Sequence, residues 1–245
     1  PVPAEGGPAG ARIREVVGLD PPHLPAAIEL FREIFPEDVR YVPYVRACAR
    51  QRSPDHPATF DHVWLVEVEG DPVGVRIFSY VHTRDIGHGA YVGLLEPYRG
   101  LGIGTWLVEQ TLRQLQADAA ALGRPEPLGY CVEVEPVESA RSPAERLLLE
   151  RRLAFHIHAG GVPLDVDYVE PPMIEGVSYI SPEQLTGIEL KPMELIFYPT
   201  RPEQRLGPER QRQIVEGLIL DVYRLDRGDP LFQRAINSIR KKGES

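Results

Sequence analysis

Residues 93–112 read GLLEPYRGLGIGTWLVEQTL, and this stretch decides the fold. An apolar run leads into a glycine-rich turn, and apolar residues then recur at helical spacing from Val108 onward. The first amides of such a helix have no intrahelical acceptor, and the positive end of the helix dipole lies beside them. The glycines at 100, 102 and 104 let a phosphate approach the backbone, and Arg99 adds a positive charge. The stretch therefore predicts an anion site between a strand and a helix.

The spacing of these glycines excludes two common phosphate loops. It is G-x-G-x-G rather than the G-x-G-x-x-G of a dinucleotide-binding fold, and the preceding strand is not the first of a β-α-β series. No G-K-[ST] is present, which excludes a P-loop. Another phosphate-bearing ligand has to be considered.

Outward from this stretch, periodicity predicts alternating strands and helices. Strands are predicted at residues 12–17, 62–69, 73–83, 87–95, 128–134, 162–169 and 190–198. Helices are predicted at residues 24–35, 38–50, 104–122, 142–158, 203–224 and 229–241. The three strands between residues 62 and 95 are joined by short connections, which indicates an antiparallel meander.

We therefore predict an α/β fold of the mixed α+β kind. Its mixed, mostly antiparallel sheet is flanked by helices on both faces and carries a C-terminal helical extension. The predicted parts are a flexible leader at residues 1–11, a main domain at 12–200 and the extension at 201–245.

The motif Arg99-Gly100-Leu101-Gly102-Ile103-Gly104 resembles the pyrophosphate loop of the GCN5-related N-acetyltransferases, the GNAT superfamily. The signature of that family is [RQ]-x-x-G-x-[GA] between the fourth strand and the third helix, and the order of elements is also similar over residues 12–198. The resemblance implies a GNAT-type sheet and acetyl-CoA as co-substrate, with the pantetheine arm between the fourth and fifth strands. The cofactor-binding residues that it implies are Leu94, Leu95, Glu96, Arg99, Gly100, Leu101, Gly102, Ile103, Gly104 and Thr105.

The resemblance also implies a general base, because an ammonium group has no lone pair to attack a thioester. The family often places a Glu or His eleven residues before the motif, and that position is His88 here. An imidazole suits this role near neutral pH, although a solvated histidine at a strand start would also fit the sequence. Glu135 is a rival, with Glu133 on the same face, and His82 is a further candidate. Many members instead relay the proton through water.

The general acid of the family is usually a Tyr in a pattern like F-Y-x-x-x-G-F. Aligned on Phe155 and Gly160, the Tyr position holds His156, which departs from the family. An imidazolium could protonate the leaving thiolate, so His156 is a candidate acid. A surface histidine, or one that contacts sulfur without proton transfer, remains open.

The composition limits the classes of partner. The chain has 27 Lys+Arg against 36 Asp+Glu, a net charge of −9, so it has no general attraction to nucleic acid or to anionic membranes. We expect a cytoplasmic protein, since no apolar run suits a membrane helix or a signal peptide. Cys48 and Cys131 are too few for a thiolate zinc site, and His156 and His158 are too close in sequence to share a metal, so no metal is expected.

These features predict an N-acetyltransferase that transfers an acetyl group from acetyl-CoA to a primary amine by direct aminolysis in a ternary complex. The acceptor is a small-molecule amine or a peptide amine, and the acidic balance favours a cationic one. Two alternatives stay open: a non-catalytic module that binds and senses acyl-CoA, and an assembly protein that uses the appended helices. A homodimer also stays open.

Overall fold

The computed structural model describes residues 6–19, 23–51, 57–171, 173–174, 178–179, 190–204 and 206–243. The strands are β1 (Arg12–Glu15), β2 (Thr59–Val68), β3 (Asp71–Val81), β4 (Ile86–Leu94), β5 (Gly129–Val134), β6 (Val162–Pro163), β7 (Tyr168–Val169), β8 (Met173–Ile174), β9 (Ser178–Tyr179) and β10 (Pro192–Pro199). The helices are α1 (His23–Ile34), α2 (Val42–Cys48), α3 (Ile103–Ala121), α4 (Pro143–His158), α5 (Pro208–Glu216) and α6 (Pro230–Gly243).

The main sheet runs in the order β1-β2-β3-β4-β5-β10-β6, and β7 also pairs with β10. The meander β2-β3-β4 is antiparallel, and β4 and β5 form a parallel pair. The mixed, mainly antiparallel sheet that the sequence predicts is therefore confirmed. A separate two-stranded hairpin is formed by β8 and β9.

One face of the sheet is covered by α3 and α4. Alternate strand residues such as Phe78, Tyr130 and Tyr198 form a buried cluster on this face with Trp106 and Leu115 of α3. Side chains that alternate along the strands thus pack against side chains at helical spacing on α3, and both spacings are present in the sequence.

The opposite face is covered by two groups of helices. Helices α1 and α2 pack on β2 and β3, where Phe31 and Leu65 are fully buried. The C-terminal helices pack on β4, β5 and β10, where Cys131, Phe197 and Leu218 are fully buried. Helices on both faces and a C-terminal helical extension are thereby confirmed. Both cysteines lie on this face, and burial raises the pKa of each thiol.

Three predicted elements differ from the structure. The strand predicted at 162–169 is two short strands, because the amide of Val166 bonds to the carbonyl of Leu164 and closes a tight turn between them. The helix predicted at 203–224 begins at Pro208 and continues as a π-helical turn, Gly217–Val222. The helix predicted at 38–50 begins as a 3-10 turn, Pro36–Tyr41.

The described part of the predicted leader, residues 6–11, lies against the start of α3. Ala11 is fully buried, and Gly7 lies beside the ring of Trp106. Residues 1–5 and 180–189, the latter in the long segment before β10, are outside the described residues. The division into leader, main domain and extension stays a prediction. Within the described ranges, no helix has both the length and the apolar character needed to span a bilayer.

Candidate active site

The glycine-rich loop leaves the end of β4 and turns sharply before α3. Gly100 and Gly102 have positive φ angles of 77° and 81°, a conformation that glycine adopts without strain. The first intrahelical bond runs from the amide of Trp106 to the carbonyl of Gly102, 3.1 Å away. The amides of residues 103–105 therefore have no intrahelical acceptor, and together with the helix dipole they form a site that suits an anion.

Arg99 fixes this loop and places a positive charge beside it. Its Nε donates to the carbonyl of Leu94 at 2.9 Å, which ties the turn to the last residue of β4. The residue is exposed, and among the described residues its guanidinium forms no ion pair. The terminal nitrogens can therefore reach an anionic ligand without first breaking a salt bridge.

Strands β4 and β5 separate next to this loop. They pair only at Gly87–Tyr130 and His88–Cys131, although both strands continue beyond these pairs. On its other edge, β4 shifts register opposite Ile77 and Phe78, which bends the strand. From residue 89 to residue 94, the edge of β4 on the β5 side therefore has no strand partner and faces a gap. Such a gap suits an extended chain that carries amide groups.

The predicted strand-pairing residues fall at the end of this edge. Leu94 is the last residue of β4, whereas the amide of Leu95 bonds to the carbonyl of Val73 and Glu96 begins a 3-10 turn. Of these three, Leu94 alone lies in the strand beside the gap.

His156 lies on the α3 and α4 side of the gap, and 6% of it is exposed. Its Nδ1 is 2.6 Å from the hydroxyl of Tyr198 on β10. Burial, together with the positive charges of Arg76 and Arg152, lowers the pKa of His156 to about 4. Near pH 7 the ring is therefore neutral, so the imidazolium considered from the sequence is not its resting form.

His88 lies on the opposite face of the sheet and forms a pair with Glu133. Its Nε2 is 3.1 Å from Oε2 of Glu133, and both side chains are almost completely buried. The hydroxyls of Tyr168 and Tyr223 also donate to Glu133, the latter at 2.8 Å. Among the described residues, the Nδ1 of His88 has no hydrogen-bond partner. A carboxylate that holds one ring nitrogen leaves the other free to accept a proton.

The two other sequence candidates have partners elsewhere. Glu135 pairs with Arg152 at 2.9 Å on the surface, where both side chains are about two-fifths exposed. The Nε2 of His82 is 2.8 Å from the carbonyl of Pro57. The structure thus brings His88 together with Glu133 rather than with Glu135.

The space beside Glu133 is rich in carboxyl and phenol groups. Burial raises the pKa of Glu170, and the negative charge of Glu133 raises it further. Burial also raises the pKa of Asp38 and of Tyr91, and the charges of Asp38 and Glu170 act on Tyr91 in the same direction. The positive charges of Arg40 and Lys191 act on Asp38 and Glu170 in the opposite direction. Partly buried carboxyl groups of this kind are further stabilised in their ionised form by a cation that enters among them.

Sequence reasoning missed several of these partners. Tyr168 lies in an acidic and aromatic segment, which is a local signal, but its contact with Glu133 depends on the pairing of β7 with β10. Tyr223 is 90 residues from Glu133 in sequence, and no local pattern connects them. Tyr198 belongs to β10 and is recognised as a partner of His156 only in three dimensions.

The comparisons with known proteins agree with this geometry. Residues 24–124 match the sequence profile of the Acetyltransferase (GNAT) family. These 101 of the 245 residues therefore resemble a GNAT-family acetyltransferase domain. The matched range includes the glycine loop and the whole of β4, so the resemblance that the motif implies is confirmed. No curated protein matches the chain.

Solved structures of GNAT proteins are similar to this chain to different degrees. A Bacteroides thetaiotaomicron protein assigned to the GNAT family aligns with a TM-score of 0.57 at 19% identity, over 88% of this chain and 99% of its own. A spermidine N-acetyltransferase chimera involving Vibrio cholerae has a TM-score of 0.47 at 12% identity, over 77% and 95%. A Bacillus subtilis acetyltransferase in complex with CoA has a TM-score of 0.42 at 13% identity, over 77% and 98%. The similarity to the Bacteroides thetaiotaomicron protein supports the fold alone.

Proposed function

We propose that this GNAT-family protein is an acyl-CoA-dependent N-acyltransferase, with acetyl-CoA as the simplest donor and a primary amine as acceptor. The observation that carries the proposal is the gap between β4 and β5, which opens onto the glycine loop at the start of α3. The gap suits an extended arm that carries amide groups, and the glycine loop suits a pyrophosphate. The pantetheine arm and the pyrophosphate are likewise adjacent in coenzyme A.

The residues present fit that co-substrate. The loop from Arg99 to Thr105 would hold the pyrophosphate, since Gly100 and Gly102 keep side chains away from its backbone. The free edge of β4 would pair with the arm. When bound, the thioester supplies an activated acyl carbon, and the remaining chemistry belongs to this chain's own residues.

His88 is the general base in this proposal. Glu133 accepts a hydrogen bond from the Nε2–H of His88, so the lone pair of Nδ1 is the one that can take a proton from the acceptor amine. The hydroxyls of Tyr168 and Tyr223 hold Glu133 in place. Deprotonation of the ammonium provides the lone pair that aminolysis requires.

We propose that His156, positioned by Tyr198, donates a hydrogen bond to the leaving sulfur on the other side of the gap. Because His156 is neutral, it can donate only one ring N–H, and its Nδ1 is occupied by the hydroxyl of Tyr198. We assign the donor role to the Nε2–H of His156, with Tyr198 as its positioning residue.

The acceptor is a cationic amine in this proposal. Glu133 contacts His88, the charges of Glu133 and Asp38 act on Glu170, and burial raises the pKa of Glu170 and of Asp38. An entering ammonium would favour their ionised forms. A polyamine, an aminosugar and a peptide with a free amino terminus are the acceptor classes to test.

The first test is calorimetric titration of acetyl-CoA and CoA into wild-type protein and into Arg99→Glu. We expect the variant to bind at least about tenfold more weakly, since it loses a charge-assisted contact and gains a repulsive carboxylate. Arg113→Glu makes the same charge change at an exposed position farther along α3 and should bind normally. Equal binding by all three proteins would contradict the assignment of the loop.

The second test separates catalysis from binding. Release of CoA thiol is followed with spermidine, kanamycin and a basic tripeptide as acceptors. Amine-dependent release supports the transferase. Binding without release for any amine would favour the alternative of a module that senses acyl-CoA.

A further inference from the structure

A buried arginine lies where β4 and β5 begin to separate. Arg76 is on β3, on the face that α3 covers, and 2% of the residue is exposed. A Cβ atom built on Gly89 would be 2.6 Å from Nη2 of Arg76 and 2.8 Å from Cγ1 of Val132. Gly89 and Val132 are the residues that directly follow the last β4–β5 pair. The guanidinium therefore lies directly below the fork of the two strands, and any side chain at position 89 would have to displace it.

Arg76 lacks an anionic partner. Its Nε donates to Oγ1 of Thr111 at 3.2 Å, and its Nη1 donates weakly to the carbonyl of Tyr91 at 3.4 Å. Its guanidinium carbon is 5.1 Å from the centre of the Tyr130 ring. Nη2 has no hydrogen-bond partner, and no ion pair to Arg76 occurs in the part of the chain that the structure describes.

A buried cation without a counter-ion is costly for a protein. Burial lowers the pKa of the Arg76 guanidinium, and the groups that act in the opposite direction are phenols rather than carboxylates. Removing a charge from water costs several kcal/mol unless an opposite charge compensates. The neighbouring His156 is neutral, so it neither adds to nor relieves this charge near pH 7. An anionic ligand would supply the missing compensation.

The position of Arg76 specifies which part of a ligand would reach it. A cavity between α3, α4 and the sheet is lined by Arg76 together with Val92, Gly104, Val132 and His156. Gly104 belongs to the glycine loop, and the cavity extends from there to the fork. A donor whose pyrophosphate is held by the loop, and whose arm follows β4 inward, directs its acyl end toward Arg76.

We propose that Arg76 binds the terminal carboxylate of a short dicarboxylic acyl group, so that malonyl-CoA or succinyl-CoA is preferred to acetyl-CoA. The inference rests on the proposed function, because it concerns the donor of the same site. The free Nη2 hydrogen bonds to the carboxylate, and the ion pair compensates the buried charge. An acetyl group carries no charge and leaves Arg76 unpaired.

The transfer itself is unchanged by this choice. The thioester C–S bond breaks and an amide C–N bond forms. The ammonium group gives one proton to His88, and the second proton that the nitrogen loses on becoming an amide goes to the thiolate, which leaves as CoA thiol. The distal carboxylate takes no part in bond making and stays ionised beside Arg76.

The experiment compares four donors by calorimetry: acetyl-CoA, butyryl-CoA, malonyl-CoA and succinyl-CoA. Butyryl-CoA is the matched neutral control for succinyl-CoA, since both acyl chains have four carbons. We expect malonyl-CoA or succinyl-CoA to bind at least about tenfold more tightly than butyryl-CoA to the wild type. Arg76→Met should remove this preference while acetyl-CoA binding is kept, and Arg76→Lys should retain part of it.

Two controls keep the outcome interpretable. Arg99→Glu should weaken all four donors by a similar factor, because it acts on the part that they share. If Arg76→Met does not fold, as judged by circular dichroism, Thr111→Val tests the same contact, and the comparison of donors on the wild type needs no variant.

The results separate the two proposals. Neutral donors that bind as tightly as the dicarboxylic ones overturn the role of Arg76 and leave the acyltransferase proposal standing. A dicarboxylic preference that survives in Arg76→Met also overturns the role of Arg76. Failure of every donor to bind overturns both proposals.

Discussion

At the scale of single residues, His88 and Glu133 carry the central chemical prediction. His88→Gln removes the nitrogen lone pair that accepts the proton, and Glu133→Gln removes the charge that stabilises the protonated ring. We expect kcat to fall about 10²- to 10⁴-fold for His88→Gln, and less for Glu133→Gln. The measurement is the initial rate of thiol release at saturating donor and amine.

His82→Gln is the matched control for this prediction. His82 is partly exposed, follows directly after β3 and bonds to a backbone carbonyl rather than to Glu133. Its substitution should leave kcat unchanged. A similar loss for His82→Gln and His88→Gln would point to general damage of the sheet and contradict the assignment of the base.

The lowered pKa of His156 leads to a prediction about stability in acid. Burial and nearby arginines lower its pKa to about 4 in the folded protein, whereas an unfolded chain binds the proton near pH 6.5. Between these values the unfolded state holds more protons, so the free energy of unfolding should fall as the pH falls from 6.5 to 4. The contribution of this residue is up to about 3 kcal/mol.

Urea denaturation at pH 4.5 and at pH 6.5 measures this slope. His156→Gln should make it shallower, because glutamine does not titrate. His158→Gln lies two residues farther along α4, is exposed, and should leave the slope as in the wild type. An unchanged slope in His156→Gln would show that its pKa is not lowered.

At the scale of elements, His62 connects three of them. Its Nδ1 is 3.0 Å from Oε1 of Glu15 on β1, and its Nε2 is 2.9 Å from Oδ2 of Asp118 on α3. Burial opposes a charge on the ring, but hydrogen bonds to Asp118 and Glu15 outweigh it and raise the pKa to about 9. The protonated ring therefore holds β1, β2 and α3 together.

The sign of this effect is opposite to that of His156. Between about pH 6.5 and pH 9 the folded state retains a proton that the unfolded state has lost, so stability should fall as the pH rises through this range. The loss attributable to His62 is up to about 3 kcal/mol. Thermal unfolding of wild type and His62→Gln at pH 6 and pH 9.5 measures it. A difference between the two proteins that is the same at both pH values would contradict the linkage.

The elements also show what a sequence can predict. The loop before α3 could be predicted because its glycines, its arginine and the helix that follows are neighbours in the chain. The meander could be predicted for the same reason. The pairing of β4 with β5 joins strands separated by a whole helix, and that these strands separate after two residue pairs follows from their three-dimensional course. From the sequence, the separation of β4 and β5 could be expected only because the motif resembles that of the GNAT family.

The candidate site shows the same limit. His88 can be found by counting from the motif and Glu135 is its rival as a base, but the sequence does not reveal the contact between His88 and Glu133. Alternation along β5 turns Glu133 and Cys131 toward the C-terminal helices. Arg76 gave no signal, because an arginine within an apolar strand is recognised as unpaired only when its surroundings are known.

At the scale of the whole molecule, the helices of the C-terminal extension share one buried cluster with the sheet. Leu218 and Ile219 of the π-helical turn are fully buried in one cluster with Cys131 and Phe197 of the sheet. Arg84, in the turn between β3 and β4, also forms an ion pair with Glu216 at 2.6 Å. The sheet and these helices should therefore unfold together.

Leu218→Ala tests this coupling. We expect it to lower the free energy of unfolding by about 2–5 kcal/mol in a single cooperative transition, because it leaves a cavity in the shared core. Leu148→Ala removes the same atoms from an α4 residue that is 54% exposed and should change stability by less than about 1 kcal/mol. A separate low-stability transition in Leu218→Ala would indicate that the helices unfold independently.

The buried state of the two cysteines has a practical consequence for every kinetic test above. Cys48 and Cys131 are the only thiols of the chain, both are inaccessible, and burial disfavours the thiolate that reacts with disulfide reagents. A chromogenic disulfide in the cuvette should therefore leave the native enzyme unmodified and report only the thiol set free by turnover. The reaction can be followed continuously, at high enzyme concentration and without quenching, even for a poor acceptor.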